Sequence, residues 1–103
     1  MTIINTTFVL ERSLYESFVA WLENVYISAA VSTGLFKQPR IVQVLTDSEP
    51  ESVSIACELL CDSLSEADRW YNNSAILLHQ NMHSLWGERV LFFTTYLKVV
   101  YNG

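Results

Sequence analysis

The two histidines of the chain, His79 and His83, lie four residues apart in the segment HQNMH. On a helix this spacing puts both rings on one side, where two imidazoles can bind one metal ion. A catalytic zinc ion needs about three protein ligands, and no acidic residue stands between the two histidines as it does in an H-E-x-x-H motif. Each histidine follows a residue of an apolar stripe by one position, so we predict partly exposed side chains and no metal site.

Glu58 is a carboxylate among apolar neighbours, in the middle of the segment VSIACELLC (residues 53–61). Burial would raise its pKa and suit it to general acid or base catalysis, with Tyr96 as a candidate hydrogen-bond partner. The alternative, which we favour, is a carboxylate at a hydrated interface that pairs with Tyr96, Lys98 or water.

The cysteines and tryptophans are better explained by packing than by chemistry. Cys57 and Cys61 have C-x-x-x-C spacing, which matches neither the redox C-x-x-C motif nor a zinc knuckle. We interpret them as reduced, buried thiols of a cytoplasmic protein. Trp21, Trp70 and Trp86 lie at or near the apolar stripes of predicted helices, which favours core packing over stacking on a ligand.

Composition excludes several classes of protein. Half of the 103 residues are apolar, which is too many for disorder and suits a single domain over residues 1–103. The net charge is −5 and the six lysines and arginines are scattered, so we expect no nucleic-acid partner. No apolar run approaches the ~20 residues of a membrane span, and the start MTIINTTFVLE predicts no signal peptide. We therefore expect a cytoplasmic protein without membrane contact and without a cofactor.

Apolar periodicity and turn residues predict six elements in the order β-α-β-β-α-β. The strands are IINTTFVL (3–10), RIVQVLT (40–46), VSIACELLC (53–61) and RVLFFTTYLKVV (89–100). The helices open at the capping boxes Ser13–Glu16 and Ser63–Glu66 and close at Gly34 and Gly87. Pro39 places the second strand at a sheet edge, and DSEPES (47–52) is the turn of a hairpin between the second and third strands.

Each predicted helix has one apolar stripe. The stripe of the first helix is Leu14, Phe18, Trp21, Leu22, Val25 and Ala29; that of the second is Ala67, Tyr71, Ser74, Leu78, Met82 and Leu85, widened by Trp70, Leu77 and Trp86. The element order predicts an α+β, ferredoxin-like fold. Right-handed crossovers then place both helices on one face of a four-stranded antiparallel sheet.

The sheet face without helices is the predicted functional surface. Alternation assigns to it Ile3, Asn5, Thr7 and Val9 of the first strand, Ser54, Ala56, Glu58 and Leu60 of the third, and Phe92, Thr94, Tyr96 and Lys98 of the last. Leu91, Phe93, Thr95, Leu97 and Val99 are then assigned to the helix side. The second strand is ambiguous, with Gln43 suggested for the open side. The candidate ligand-binding residues are the polar ones, Asn5, Thr7, Glu58, Thr94 and Tyr96.

Exposure of the apolar residues on this face would be costly, at ~25 cal/mol per Å² of apolar surface. We therefore expect a homodimer in which two such faces pack together and enclose a cavity for a small molecule.

The chain resembles a small bacterial family catalogued as domain of unknown function 4286. The likeness covers nearly the whole chain and rests on Asn5-Thr-Thr-Phe8, Trp21-Leu22, Thr33-Gly34-Leu-Phe36, Tyr71 and Trp86-Gly87-Glu-Arg89. Where that family often has a histidine and a proline late in the first helix, this chain has Tyr26 and Ser28. The resemblance implies a ferredoxin-like domain of the dimeric α/β-barrel type and brings no established activity.

The sequence thus favours a homodimeric small-molecule-binding or assembly module without catalysis. One alternative is a cofactor-independent enzyme, similar to small monooxygenases or isomerases, that uses Glu58 and Tyr96 in the cavity. Another is a protein–protein interaction domain. The enzyme requires a closed pocket and a perturbed Glu58, whereas the interaction domain requires a monomer or an interface without a pocket.

Overall fold

Four strands and two long helices follow one another in the predicted order β-α-β-β-α-β in the computed structural model, which describes residues 1–45 and 50–103. The strands are β1 (Thr2–Glu11), β2 (Lys37–Gln43), β3 (Ser52–Cys61) and β4 (Val90–Lys98). Helix α1 (residues 15–32) consists of an α-helix at Tyr15–Trp21, a π-helical segment at Leu22–Ile27 and an α-helix at Ser28–Ser32, and helix α2 is Leu64–Trp86. Short 3-10 helices at Arg12–Leu14 and Gly87–Arg89 precede α1 and β4.

The sheet has the strand order β2-β3-β1-β4 with antiparallel neighbours, which confirms the α+β, ferredoxin-like prediction. β2 is an edge strand, as Pro39 indicated. Pro39 lies inside β2 rather than before it, where the pairing register with β3 shifts between Lys37 and Arg40. A bulge at an edge accommodates a residue that cannot donate a ladder hydrogen bond. Residues 47–49 of the predicted turn at 47–52 lie outside the described residues.

Both helices pack on one face of the sheet. The ring of Phe8 on β1 lies 5.0 Å from that of Phe18 and 5.8 Å from that of Tyr26, both on α1. The inward rows of β1 and β3 are the predicted ones and are buried: Ile4, Thr6, Phe8 and Leu10, and Val53, Ile55, Cys57 and Leu59. Cys57 and Cys61 are free and buried, as predicted, and burial raises the pKa of the Cys57 thiol to about 12.

The π-helical segment changes which residues of α1 are buried. In a π-helix each N–H bonds the carbonyl five residues back, so the segment holds one residue more than a regular helix would. The buried stripe therefore moves on by one position: Tyr26 and Ala30 are buried in place of the predicted Val25 and Ala29. The prediction failed at these two positions because it assumed a uniform period of 3.6 residues.

The helix ends agree only in part with the predicted signals. The predicted capping box at Ser13–Glu16 does not form. A 3-10 turn leads into α1, and no side chain caps the first turn of this helix. At α2 the hydroxyl of Ser63 accepts a hydrogen bond from the Glu66 N–H at 3.2 Å, so the serine half of that box is confirmed. Gly34 and Gly87 end the helices with φ of +79° and +56°, as predicted.

The stripe of α2 differs from the prediction only in part, since Leu78 and Met82 face the core as predicted. Ser74, Leu77 and Leu85 are exposed, and Ala75 is buried. The rings of Trp21 and Trp86 lie 5.8 Å apart in an edge-to-face arrangement. An indole removes more apolar area from water than a leucine side chain does. Packing of Trp86 therefore decides the rotation of the last turns.

The facing predicted for β4 is wrong. Phe92 pairs with Phe8, Thr94 with Thr6 and Tyr96 with Ile4, so these three side chains point to the helices. Leu91, Phe93, Thr95 and Leu97 lie on the open side instead. The two rows of β4 are almost equally apolar, so alternation did not distinguish them. Val90 decides the facing, because the 3-10 turn before it delivers its side chain into the core and the period of two fixes the rest.

Among the described residues, no helix has both the length and the apolar character that a membrane crossing requires.

Candidate functional site

The open face, meaning the side of the sheet that carries no helix, is formed by alternate residues of all four strands. The register with β3 resolves β2, where Arg40 and Val42 lie on the open face and Ile41 and Gln43 point to the helix side. The suggested facing of Gln43 is therefore wrong. The open face consists of Ile3, Asn5, Thr7, Val9, Arg40, Val42, Ser54, Ala56, Glu58, Leu60, Leu91, Phe93, Thr95 and Leu97.

A line of four polar residues, the polar row, crosses the open face from edge to edge. Arg40 pairs with Glu58, Glu58 with Asn5, and Asn5 with Thr95, so that each strand contributes one member. Neighbours directly opposite on antiparallel strands have Cβ atoms about 5 Å apart. The four side chains therefore form one continuous band of hydrogen-bonding groups.

Apolar rows flank the polar row on both sides. One is Leu60, Ile3 and Leu97, and the other is Val42, Ala56, Thr7 and Phe93, in which Thr7 is the polar member. The β4 side of the face is the most exposed part, since Phe93 is 58% and Leu91 59% accessible. The open face is thus an apolar surface that the polar row crosses at its centre.

Glu58 is paired with Arg40 and not with Tyr96. The Nε and Nη2 atoms of Arg40 both donate to Oε1 of Glu58, at 3.0 and 2.5 Å. The Glu58 side chain is 21% exposed and the Arg40 side chain 67% exposed. The guanidinium thus neutralises a carboxylate that the sheet largely covers. Oε2 of Glu58 has no hydrogen-bond partner among residues 1–45 and 50–103.

Two of the five predicted ligand-binding residues lie on the other side of the sheet. Tyr96 donates to Oδ1 of Asp68 at 3.4 Å, and burial raises the pKa of its hydroxyl. Thr94 lies 3.0 Å from Thr6, oxygen to oxygen, beneath the helices. Asn5, Thr7 and Glu58 lie together on the open face, as predicted. The acid–base pair of Glu58 and Tyr96 does not form, because the β4 facing on which it depended is inverted.

A pocket of about 260 Å³ lies at one end of the polar row. The Val99 N–H donates to the Met1 carbonyl at 3.0 Å, which brings the C-terminal segment beside the open face. The pocket is lined by Met1, Ile3, Gln38, Arg40, Glu58, Leu60, Val99, Tyr101 and Asn102. The ion pair of Arg40 and Glu58 therefore forms a wall of a concave site.

The histidines occupy the helix side. Nε2 of His79 lies at hydrogen-bond distance, 3.1 Å, from the hydroxyl of Tyr26, whereas His83 is exposed. Burial lowers the pKa of His79 to about 4, so that the ring is neutral at physiological pH. Across the part of the chain that the structure describes, no group of three or more His, Cys, Asp or Glu side chains is placed to hold a metal ion.

Sequence reasoning missed two residues of interest. Arg40 was hidden because both faces of β2 are mixed in character. Its signal was its place opposite Glu58, which becomes readable only with the bulge at Pro39. Tyr26 was hidden because the π-helical segment, which no motif announces, moves it into the core.

Comparison with known proteins gives a family and a fold. The model of a family described as "Domain of unknown function (DUF4286)" matches residues 1–100. No curated protein matches the chain. Two crystal structures of dimeric ferredoxin-like proteins from uncultured marine organisms, at 1.85 and 2.20 Å resolution, are similar to it. The first is 15% identical with a TM-score of 0.61, covering 99% of this chain and 98% of that one. The second is 15% identical with a TM-score of 0.59, covering 100% and 98%. At this identity the likeness shows the fold.

Proposed function

The chain belongs to the DUF4286 family, whose function is unknown, and we propose that it is a homodimeric module that binds a small molecule between two open faces without catalysing a reaction. The observation that carries the proposal is the polar row, a continuous hydrogen-bonding band enclosed by apolar rows on a sheet face that no helix covers.

The apolar rows support the homodimer. Leu91, Phe93 and Leu97 on β4 and Val42 on β2 are all exposed, at a cost of ~25 cal/mol for each Å² of apolar surface left in water. In a two-fold dimer the same face serves both partners, so each of these residues is covered once in each subunit. The two similar structures are described as dimeric, which agrees with this assembly.

The polar row supports a ligand. When two open faces meet, the buried polar groups of each row need hydrogen-bond partners, and leaving one unmet costs about 1–3 kcal/mol. Oε2 of Glu58 and the amide of Asn5 offer an acceptor and donors beside a pocket bounded by Arg40. A small polar molecule with an apolar part fits this surface, because its polar atoms meet the row and its carbon atoms meet the flanking residues.

The same geometry argues against an acid–base role. The charge of Glu58 is met by Arg40, and Tyr96 lies on the opposite side of the sheet. A general acid or base must reach the proton that it transfers, and efficient transfer usually involves a second positioned group. The open face provides polar contacts without such a pair.

The dimer is tested by light scattering after size exclusion at micromolar concentration. The wild-type protein should elute with the mass of two chains. Phe93→Glu places one charge from each subunit within the proposed interface and should give a monomer. Leu77→Glu is the matched control, because Leu77 is similarly exposed, at 68%, on the outer side of α2, and this variant should remain a dimer. A monomeric wild type refutes the proposed assembly and favours an interaction domain for a different protein.

The ligand is tested by native mass spectrometry of untagged protein. The dimer should carry an added mass that is lost on denaturation. Asn5→Leu removes the amide at nearly constant volume and should abolish the added mass while the dimer persists. A dimer that shows only the protein mass in both forms contradicts ligand binding and leaves an assembly module.

A further inference from the structure

A second concave surface, which we call the α2–β4 groove, lies on the helix side of the sheet. It has a volume of about 620 Å³, which is within the range of about 300–1,000 Å³ typical of small-molecule sites. The groove is lined by Tyr71, Ile76, His79, Gln80, His83, Ser84 and Phe92. The groove is separated from the open face by the thickness of the sheet and does not depend on the proposed dimer.

Flat aromatic surfaces form the floor of the groove. The ring of His79 lies 4.3 Å from that of Phe92, tilted by 34°, and the ring of Tyr71 meets His79 edge-on at 5.7 Å. β4 is an edge strand, so nothing beyond it in the sheet covers Phe92, which is 38% exposed together with Ile76 at 44%. These surfaces suit a planar molecule that stacks or packs edge-to-face.

The buried Tyr26 contacts His79 from the core side. The Thr94 and Thr6 oxygens lie 3.0 Å apart, and the Tyr26 hydroxyl lies 3.1 Å from Nε2 of His79. A phenolic O–H is a stronger proton donor than the N–H of a neutral imidazole, and the unprotonated imidazole nitrogen is a good acceptor. The Tyr26 hydroxyl therefore donates to Nε2 of His79.

This direction of donation fixes the tautomer of His79. A neutral imidazole whose Nε2 accepts a hydrogen bond carries its proton on Nδ1. Among residues 1–45 and 50–103, Nδ1 of His79 has no hydrogen-bond partner. His79 therefore carries one N–H donor in a groove that is otherwise lined by aromatic, aliphatic and polar side chains and by the second imidazole, that of His83.

The groove carries no lysine, arginine, aspartate or glutamate in its described lining, so no side chain of fixed charge compensates a charged ligand there. We propose that the α2–β4 groove binds an uncharged, planar heteroaromatic molecule whose acceptor atom takes the Nδ1–H of His79. The π-helical segment is part of this site, because it brings Tyr26 into the core where its hydroxyl meets His79.

Nuclear magnetic resonance tests both halves of the inference. A long-range ¹H–¹⁵N spectrum of the imidazoles should show His79 as the Nδ1–H tautomer at neutral pH. Quinoline is the probe. N-methylquinolinium is the control compound of nearly the same shape, because its ring nitrogen is methylated, cannot accept a hydrogen bond and carries a positive charge. Quinoline should shift the His79 and Phe92 signals saturably, and N-methylquinolinium should bind about tenfold more weakly, as loss of one hydrogen bond implies. An Nε2–H tautomer, equal binding of the two probes or the absence of saturation overturns the proposal.

Two variants separate this site from general effects on folding. Tyr26→Phe keeps the ring and removes the hydroxyl, so His79 should lose its fixed tautomer and quinoline should bind about tenfold more weakly. Tyr15→Phe, at an exposed tyrosine of the same helix, is the control and should change neither reading. Phe92→Leu serves as a second test if Tyr26→Phe does not fold, because Phe92 is partly exposed and its replacement should be tolerated. This variant should bind quinoline more weakly and leave the tautomer of His79 unchanged. Unaltered quinoline binding by Phe92→Leu also overturns the proposal.

Discussion

At the scale of single residues, His79 links the protonation state of the protein to its stability. Burial holds its pKa in the folded protein at about 4, below the ordinary value of 6.5. Between these values the unfolded chain binds more protons than the folded one, so acid favours unfolding. The contribution of His79 is complete above about pH 6.5 and is lost as the pH falls towards 4.

We expect urea unfolding at pH 7 and pH 5 to give a lower free energy of unfolding at pH 5. His79→Gln should reduce this difference, because glutamine does not titrate. His83→Gln is the control, since His83 is exposed on the same helix, and it should keep the wild-type difference. Equal pH dependence of the two variants would show that other groups cause the effect.

The hydroxyl of Tyr26 gives a second prediction at this scale. Tyr26→Phe leaves Nε2 of the half-buried His79 without its partner. Such a loss costs about 1–2 kcal/mol of unfolding free energy. Chemical denaturation of Tyr26→Phe and of the exposed control Tyr15→Phe measures it, and an equal stability of the two would contradict the contact.

The sequence identified individual site residues where their strand alternates clearly. Asn5, Thr7 and Glu58 were placed correctly, because β1 and β3 each have one row of consistently apolar side chains. Thr94 and Tyr96 were misplaced, because β4 is an edge strand with large apolar residues on both sides. On such a strand hydrophobicity carries little information on facing, and the geometry of the preceding turn decides it.

At the scale of elements, the Ser63 cap fixes the start of α2. Its hydroxyl accepts from the Glu66 N–H, which would otherwise be one of the unpaired donors of the first turn. Ser63→Ala should lower the unfolding free energy by about 1 kcal/mol. Ser65→Ala, exposed two residues later, should change it little. Urea denaturation compares them, and an equal loss in both would contradict the cap.

The π-helical segment of α1 predicts an unusual tolerance of deletion. Removal of the exposed Asn24 would leave Tyr26 four residues after Trp21, which is the spacing of one face of a regular α-helix. We therefore expect the variant to stay folded, with its apolar stripe preserved. Circular dichroism and thermal unfolding provide the measurement.

Deletion of Asn73 from the regular helix α2 is the matched control. Asn73 is exposed as well, but its removal turns the following residues by about 100°. Ala75 and Met82 would leave the core, so this variant should unfold or lose most of its stability. If both deletions are equally damaging, the extra residue of α1 does not have the role described.

The order and type of the elements followed from the sequence because local signals agreed with one another. Gly34 and Gly87 end the helices, Ser63 begins one, and Pro39 lies on an edge strand. The phase within α1 did not follow, since a single extra residue in a helix leaves no mark in the composition. Packing of Tyr26 against Phe8 and Trp70 selects that phase.

At the scale of the whole molecule, the proposed dimer couples stability to concentration. Anything that binds the folded chain alone stabilises it by mass action, and a second copy is such a partner. Raising the protein concentration about tenfold should increase the wild-type melting temperature. Phe93→Glu should melt at a temperature independent of concentration. A scanning calorimeter provides both readings, and a wild-type value that does not move would contradict a dissociable dimer.

The two proposed surfaces use opposite sides of one sheet, and β1 serves both of them. Its odd-numbered residues Asn5 and Thr7 lie on the open face, and its even-numbered Phe8 lies on the helix side, with its ring 5.8 Å from that of Tyr26 and 6.3 Å from that of Phe92. β1 also has neighbours on both edges, with β3 along Thr2–Glu11 and β4 along residues 2–10.

Amide protons in β1 should accordingly be the last to exchange with deuterated solvent. Each of them donates to one neighbour, either β3 or β4, so the whole set is released only when both strands detach from β1. The exchange rates of residues 4–9 then report global unfolding of the protein, whereas those of β2 report local opening at the edge of the sheet.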